Sequence, residues 1–202
     1  MNNRDDNIDI FMPQPEAPVV IYHDLRVTSA THDEDQVAVL PGSFNPLHAG
    51  HRNLKMAAEA KLKRKVVFEI SVANVQKKTL AKPEVLRRLR QFDNETVAVT
   101  HAPLFLHKAD LFPGCCFVVG VDTAIRIVDR RFYGNDDSKL QTCLQQFSDH
   151  GHSFLVAGRI DANGHFCGVN DIEIPVGFQQ MFIELSESEF REDVSSTQLR
   201  KT

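Results

Sequence analysis

The chain has 202 residues, enough for one α/β domain or a domain with a short appendage, and its 42% hydrophobic and 25% charged content is that of a globular protein. A formal charge of -4 gives no global attraction for nucleic acid, and no apolar run approaches the roughly 20 residues that span a bilayer. The opening Met1-Asn2-Asn3-Arg4-Asp5-Asp6 resembles neither a signal nor a transit peptide, so the cytoplasm is the expected compartment. Cys115, Cys116, Cys143 and Cys167 show no C-x-x-C spacing, and the adjacent pair sits in an apolar strand pattern. Buried free thiols are expected, with neither disulfides nor structural zinc.

Residues 1–35 are rich in Asp, Asn, Pro and Thr and carry little periodicity. They read as an N-terminal extension or linker, in which the short run at 19–22 can lend a strand to an edge, and the main domain is expected over residues 36–202. From there strands and helices alternate. Strand one is expected at 37–40. The helix after it repeats apolar residues at Leu54, Ala57, Ala58 and Leu62, with Arg52, Lys55, Glu59 and Lys63 on the wet side. Residues 66–72 form a second strand, Pro83 opens a helix with Leu86, Leu89 and Phe92 on one face, and 96–100 form a third strand. A short helix at 104–111 ends at Pro113-Gly114. A fourth strand at 116–121 precedes helical segments at 123–131 and 138–149, and a fifth strand follows at 154–157. Asp161-Ala162-Asn163-Gly164 reads as a hairpin turn between flanks that pair antiparallel, and 181–185 make a sixth strand. Strands separated by helices imply an α/β fold with a doubly wound parallel sheet and helices on both faces.

The stretch with chemical content is Pro41-Gly42-Ser43-Phe44-Asn45-Pro46-Leu47-His48-Ala49-Gly50-His51, set between the first strand and a helix. Gly42 and Gly50 let backbone approach a ligand, and the first-turn amides favour an anion. His48 and His51, three residues apart, lie on one face of that turn and can point at one ligand. Near the C-terminus, Ser195, Ser196 and Thr197 offer hydroxyls and a helix cap, and Arg200 adds a forked cation about one turn later, a set suited to the β- and γ-phosphates of a nucleoside triphosphate.

These two stretches resemble the HxGH and SSTxIR signatures of the nucleotidyltransferase superfamily, and Gly42-Ser43-Phe44-Asn45-Pro46 looks most like the branch that includes the nicotinamide mononucleotide adenylyltransferases. The resemblance implies a Rossmann-like sheet of strand order 3-2-1-4-5, with the ligand where the winding reverses, between strands one and four. It implies transfer of an AMP unit from ATP to a phosphate-bearing acceptor of the nicotinamide or nicotinate mononucleotide kind, with pyrophosphate released. His48, His51 and Arg200 would carry catalysis, and Gly42, Ser43, Phe44, Gly50, Ser195, Ser196 and Thr197 would bind the nucleotide. Magnesium is expected on the triphosphate, with no metal site of protein side chains alone. A cytidylyltransferase is the rival within the superfamily; the second is a nucleotide-binding regulator that has lost turnover.

The remaining candidates have two readings each. Gly120 and Asp122, after strand four, form a GxD that contacts nucleotide in similar enzymes, while Asp122 serves equally as a helix N-cap. Arg159 stands where family members place an arginine near the nucleotide, or makes a structural salt bridge. Asn74, Lys77 and Lys78 follow strand two and could hold the acceptor, or form a solvated basic loop. Relatives that use nicotinamide mononucleotide usually carry a proline-histidine-lysine arrangement there, which this chain lacks, as it lacks Trp, the residue that often stacks the nicotinamide ring in bacterial relatives. Glu69 is odd within an apolar strand and is expected to face outward rather than to pair with a cation or touch the acceptor. Arg87, Arg88 and Arg90 are expected on the wet face of their helix.

Overall fold

A computed structural model describes residues 10–28, 37–73 and 78–191. In chain order it contains β1 (Val19–His23), β2 (Arg26–Val27), β3 (Ala38–Pro41), α1 (Ala49–Leu62), β4 (Val66–Ser71) and α2 (Lys82–Leu89). There follow β5 (Thr96–Thr100), α3 (Phe105–Leu111), β6 (Cys116–Gly120), α4 (Val121–Val128), a short 3-10 turn (Arg130–Tyr133) and α5 (Asp137–Asp149). The remainder supplies β7 (Ser153–Ala157), β8 (Arg159–Ile160), β9 (Phe166–Cys167) and β10 (Phe182–Leu185).

Eight of these strands form one sheet in the order β10-β7-β6-β3-β4-β5-β1-β2. The run β5-β4-β3-β6-β7 is the expected 3-2-1-4-5 arrangement, parallel throughout, and β10 extends it in parallel on β7. The residues ahead of position 36 also enter the sheet: β1 pairs antiparallel with β5 along its whole length, and Tyr22 and Ile21 are buried against the core. Beyond β7 the chain turns into the β8–β9 hairpin, with Gly164 supplying the positive φ of the turn. A Cβ at Gly158, just before β8, would lie 2.2 Å from the Phe166 ring and 2.6 Å from the Cys167 carbonyl oxygen, so only glycine lets the hairpin fold back this closely.

The pleat divides the core in two. Val66, Phe68 and Ile70 of β4, with Val97 and Val99 of β5, face Ala58 of α1 and Val85 and Leu89 of α2. Val67 and Ala98 point to the other side, where Ala109 of α3, Ala124 and Ile127 of α4 and Leu144 and Phe147 of α5 cover them. Helices thus lie on both faces of a largely parallel sheet, which is the doubly wound Rossmann-like class. Cys115, Cys116 and Cys143 are buried free thiols as expected, whereas Cys167 is only half-buried. None of the helices described is long and apolar enough to cross a membrane.

Candidate active site

Strand β3 ends with Pro41 opposite Glu69 of β4, and the Gly42 N–H donates to the Glu69 carbonyl at 2.9 Å, so the chain leaves the sheet at its carboxyl edge. It then turns sharply. Phe44 takes a positive φ of 44° and drops its ring into the core, 1% exposed, edge-on to Phe68 and Phe92 at 5.3 Å and to His51 at 4.9 Å. Burial of such a ring contributes about 1.5–3 kcal/mol, which anchors the loop from below. From the side it is held by α2 and the residues after it. Gln91 donates to the Phe44 carbonyl (3.1 Å) and accepts from the Leu47 N–H (2.9 Å), Arg88 donates to the Ser43 carbonyl (2.8 Å), and Arg87 donates to the Asn45 side chain (2.8 Å).

The loop delivers His48 to the N-cap of α1, in extended conformation, and His51 to the third helical position. Their rings lie 3.8 Å apart, tilted by 34°. His51 Nδ1 accepts from the His48 backbone N–H at 3.3 Å, which assigns the hydrogen to Nε2 and makes that nitrogen a donor. Burial, and secondarily the charge His48 would carry, push the His51 pKa down to about 4. In the free protein His51 is therefore a neutral imidazole near pH 7.

His51 lines a cavity of about 650 Å³ at the carboxyl ends of β3, β4 and β6, where the winding of the sheet reverses. Gly42 and Ser43 border it on the histidine side, and Gly120, Thr123 and Arg126 on the α4 side. Among the described residues its charged lining is four cations, Lys78, Arg88, Lys108 and Arg126, to one carboxylate, Glu69. Such a cavity suits an anion.

A family model for cytidylyltransferase-like proteins matches residues 39–202. The chain belongs to the cytidylyltransferase-like family. No curated protein matches it. The cytidylyltransferase-like match begins within β3 and so takes in the histidine loop and every residue that lines the cavity. At this level the protein is a nucleotidyltransferase, in agreement with the resemblance of its two motifs.

Several expected site residues of this cytidylyltransferase-like protein fall together and others do not. Gly42, Ser43, His51, Lys78 and Gly120 share the cavity, with His48 stacked behind His51. Gly50 is buried in the first turn of α1. Phe44 cannot present its ring to a nucleotide, because that ring is buried beneath His51. Asp122 does not cap α4: Gly120 holds that position, and the Asp122 carboxylate takes a two-pronged bond from Arg159 at 2.8 and 3.0 Å. The salt-bridge reading of Arg159 is the one present, and neither partner lines the cavity. Asn74, Lys77, Ser195, Ser196, Thr197 and Arg200 lie outside the described residues.

Two side chains expected in water are in the site. Glu69 is 1% exposed and bonds to Lys108 and Thr100 instead of facing outward. Arg88 is 8% exposed, tied to Glu84 at 2.7 Å and to the Ser43 carbonyl, and lines the cavity beside His51. The sequence held a signal for Arg88, since Val85, Arg88 and Leu89 share one helical face. Lys108, Thr123 and Arg126 had no comparable signal. Burial pushes the Cys115, Cys116 and Cys143 thiols up, away from the reactive thiolate.

Proposed function

We propose that this nucleotidyltransferase moves an adenylyl group from ATP to a phosphate-bearing acceptor of the nicotinamide or nicotinate mononucleotide kind. A phosphate oxygen of the acceptor attacks the α-phosphorus, the bond from that phosphorus to the bridging oxygen of the β-phosphate breaks, and pyrophosphate leaves. The observation that carries this reading is His51 at the N-terminus of α1, its Nδ1 held by the loop so that Nε2 carries the hydrogen, lining a cationic cavity at the reversal of the sheet. No covalent nucleophile is required. The residues needed are those that position the reactants and neutralise charge as it grows.

His51 donates from Nε2 to a phosphate oxygen of the triphosphate while its Nδ1 remains bound to the loop. The first-turn amides of α1 add their partial positive charge. Magnesium enters with the triphosphate as part of the substrate; among the described residues no cluster of three or more His, Cys, Asp or Glu side chains is placed to hold a metal. Adenylyl rather than cytidylyl transfer is supported by Asn45 after Phe44 and by Val194-Ser195-Ser196-Thr197, where cytidylyltransferases usually carry Asp and Gly-Ile-Ser-Thr.

Pyrophosphate release tests the proposal, with ATP or CTP offered against nicotinamide mononucleotide, nicotinate mononucleotide, phosphopantetheine and phosphocholine. Release from ATP with a pyridine mononucleotide is the expected result. Release from CTP alone would replace the adenylyl reading with the cytidylyl one. Binding of ATP without release for any acceptor would make the chain a nucleotide-binding regulator.

A further inference from the structure

The polar network on the cavity floor has no part in the reaction as described so far. Alternation along β4 and β5 puts Val67, Glu69 and Ser71, and Ala98 and Thr100, on one face of the sheet. Toward the carboxyl ends of both strands this face changes from apolar to polar, directly under α3. Lys108 descends from that helix, and its ammonium donates to Glu69 Oε1 and to the Ala102 carbonyl, both at 2.7 Å, while the Thr100 hydroxyl donates to the same Oε1. Glu69 and Lys108 are 1% and 6% exposed, and both line the cavity.

A buried ion pair of this kind is a poor source of stability. Desolvation of two charges offsets most of their attraction, and apolar side chains of similar volume commonly serve a core as well or better. Its placement points to a use. An ammonium has three hydrogens, of which two are committed within the network, so one remains for a ligand. Glu69 and the Ala102 carbonyl constrain the direction of that third bond, because between them they hold Lys108 Nζ at one point in the cavity wall. Among the described residues the other charged side chains that line the cavity are cations.

We propose that Lys108 binds the acceptor's phosphate, giving its remaining N–H to an anionic oxygen of a phosphomonoester, and that Glu69 is a positioning residue acting through Lys108. The inference rests on the nucleotidyl-transfer reading for the meaning of that phosphate. Glu69 belongs to β4, whose backbone also receives the Gly42 N–H, so the acceptor-binding lysine and the histidine loop are referenced to the same strand. In this arrangement ATP is held from the α1 side and the nucleophile from the α3 side.

The test uses the full chain and compares the wild type with Lys108→Met and with the double variant Glu69→Leu/Lys108→Met, which removes both charges together. Calorimetry reads the affinity for ribose 5-phosphate, a bare phosphomonoester, in the presence of saturating α,β-methylene-ATP, and separately the affinity for the ATP analogue. The expected result is at least a tenfold loss of ribose 5-phosphate affinity in both variants, with analogue affinity within threefold of wild type and a double variant that melts no earlier than the single one. A double variant that regains wild-type affinity for ribose 5-phosphate would make the pair structural only and overturn the proposal. If the double variant does not fold, the ratio of the two affinities in Lys108→Met decides the matter alone, and an unchanged ratio overturns it. Failure of the wild type to bind the ATP analogue would instead remove the nucleotidyl-transfer reading itself.

Discussion

His51 accepts the backbone N–H of His48 through Nδ1, and this one bond turns the HxGH spacing into a directed donor. The spacing brings the two rings to the same turn; the bond decides which nitrogen of His51 carries the hydrogen. On the proposed reaction, loss of that donor removes stabilisation from the transition state rather than from the fold. His51→Ala is expected to lower kcat for pyrophosphate release by roughly 100-fold or more, the range for deletion of one oxyanion donor. A melting temperature within a few degrees of wild type would accompany it. Full activity in the variant would exclude His51 from the mechanism.

The lowered pKa of His51 also gives the fold a pH dependence with a definite sign. The unfolded imidazole takes up a proton near pH 6.5 and the folded one only near 4, so between these values the unfolded state binds more protons. Stability is therefore full above pH 6.5 and falls as the pH is lowered toward 4. His152, buried against Cys115 and lowered by that burial, adds in the same direction. The carboxylate of Glu84, held down to about 2 by Arg87, keeps its full stabilising contribution above its ordinary value near 4.5 and loses it only as the pH falls below that. Urea midpoints of wild type measured from pH 7 to 4.5 should fall, and those of His51→Gln should fall less. Parallel curves would show that His51 titrates normally in the folded protein.

The sheet was legible in the sequence because each parallel strand is an apolar run bounded by turn residues, and β5 at Thr96–Thr100 fell where the pattern put it. The histidine loop was legible because its spacing is local. What escaped was every feature with a distant partner. Arg88 reads as solvated by charge, yet it bonds to the Ser43 carbonyl 45 residues earlier in the chain, and Glu69 reads as outward-facing until α3 brings Lys108 above it. Asp122 and Arg159 are 37 residues apart, and only the adjacency of β6 and β7 shows that they bind each other. Period and propensity describe one element at a time, whereas a buried charge is explained by a neighbour from another element.

Gln91 shows how far the histidine loop depends on α2 and the residues that follow it. Its amide bonds to the Phe44 carbonyl and the Leu47 N–H, on either side of the turn that sets His48 at the helix cap, and Arg52 donates to its backbone carbonyl at 2.8 Å. Gln91→Ala leaves the Leu47 N–H and the Phe44 carbonyl without this partner. The expected loss of stability is about 1–3 kcal/mol, the scale for a part-buried polar group that loses its bond. On the proposed reaction kcat should fall further than KM rises, because the histidines are misplaced while the cavity walls stay. Chemical denaturation and steady-state kinetics on the same preparation check both statements; a rise in KM alone would mean that Gln91 shapes the cavity instead.

Two glycines of the site separate structural from ligand-dependent constraint. A Cβ on Gly42 would stand 2.6 Å from the tip of the Phe44 ring, so Gly42→Ala must displace the ring that supports His51. Overpacking of this kind costs about 1–3 kcal/mol, and the variant should melt earlier and lose activity together. Gly120 is the opposite case. It has ordinary backbone angles at the cap of α4, and a Cβ there would meet nothing within 4 Å. Gly120→Ala should cost no more than about 1 kcal/mol, the difference between glycine and alanine at a helix N-cap, so a loss of ATP affinity in a variant that remains folded reports a clash with the ligand itself. Equal ATP affinity in Gly120→Ala and wild type would mean that the nucleotide does not approach the end of β6, and would shift it toward the α3 side of the cavity.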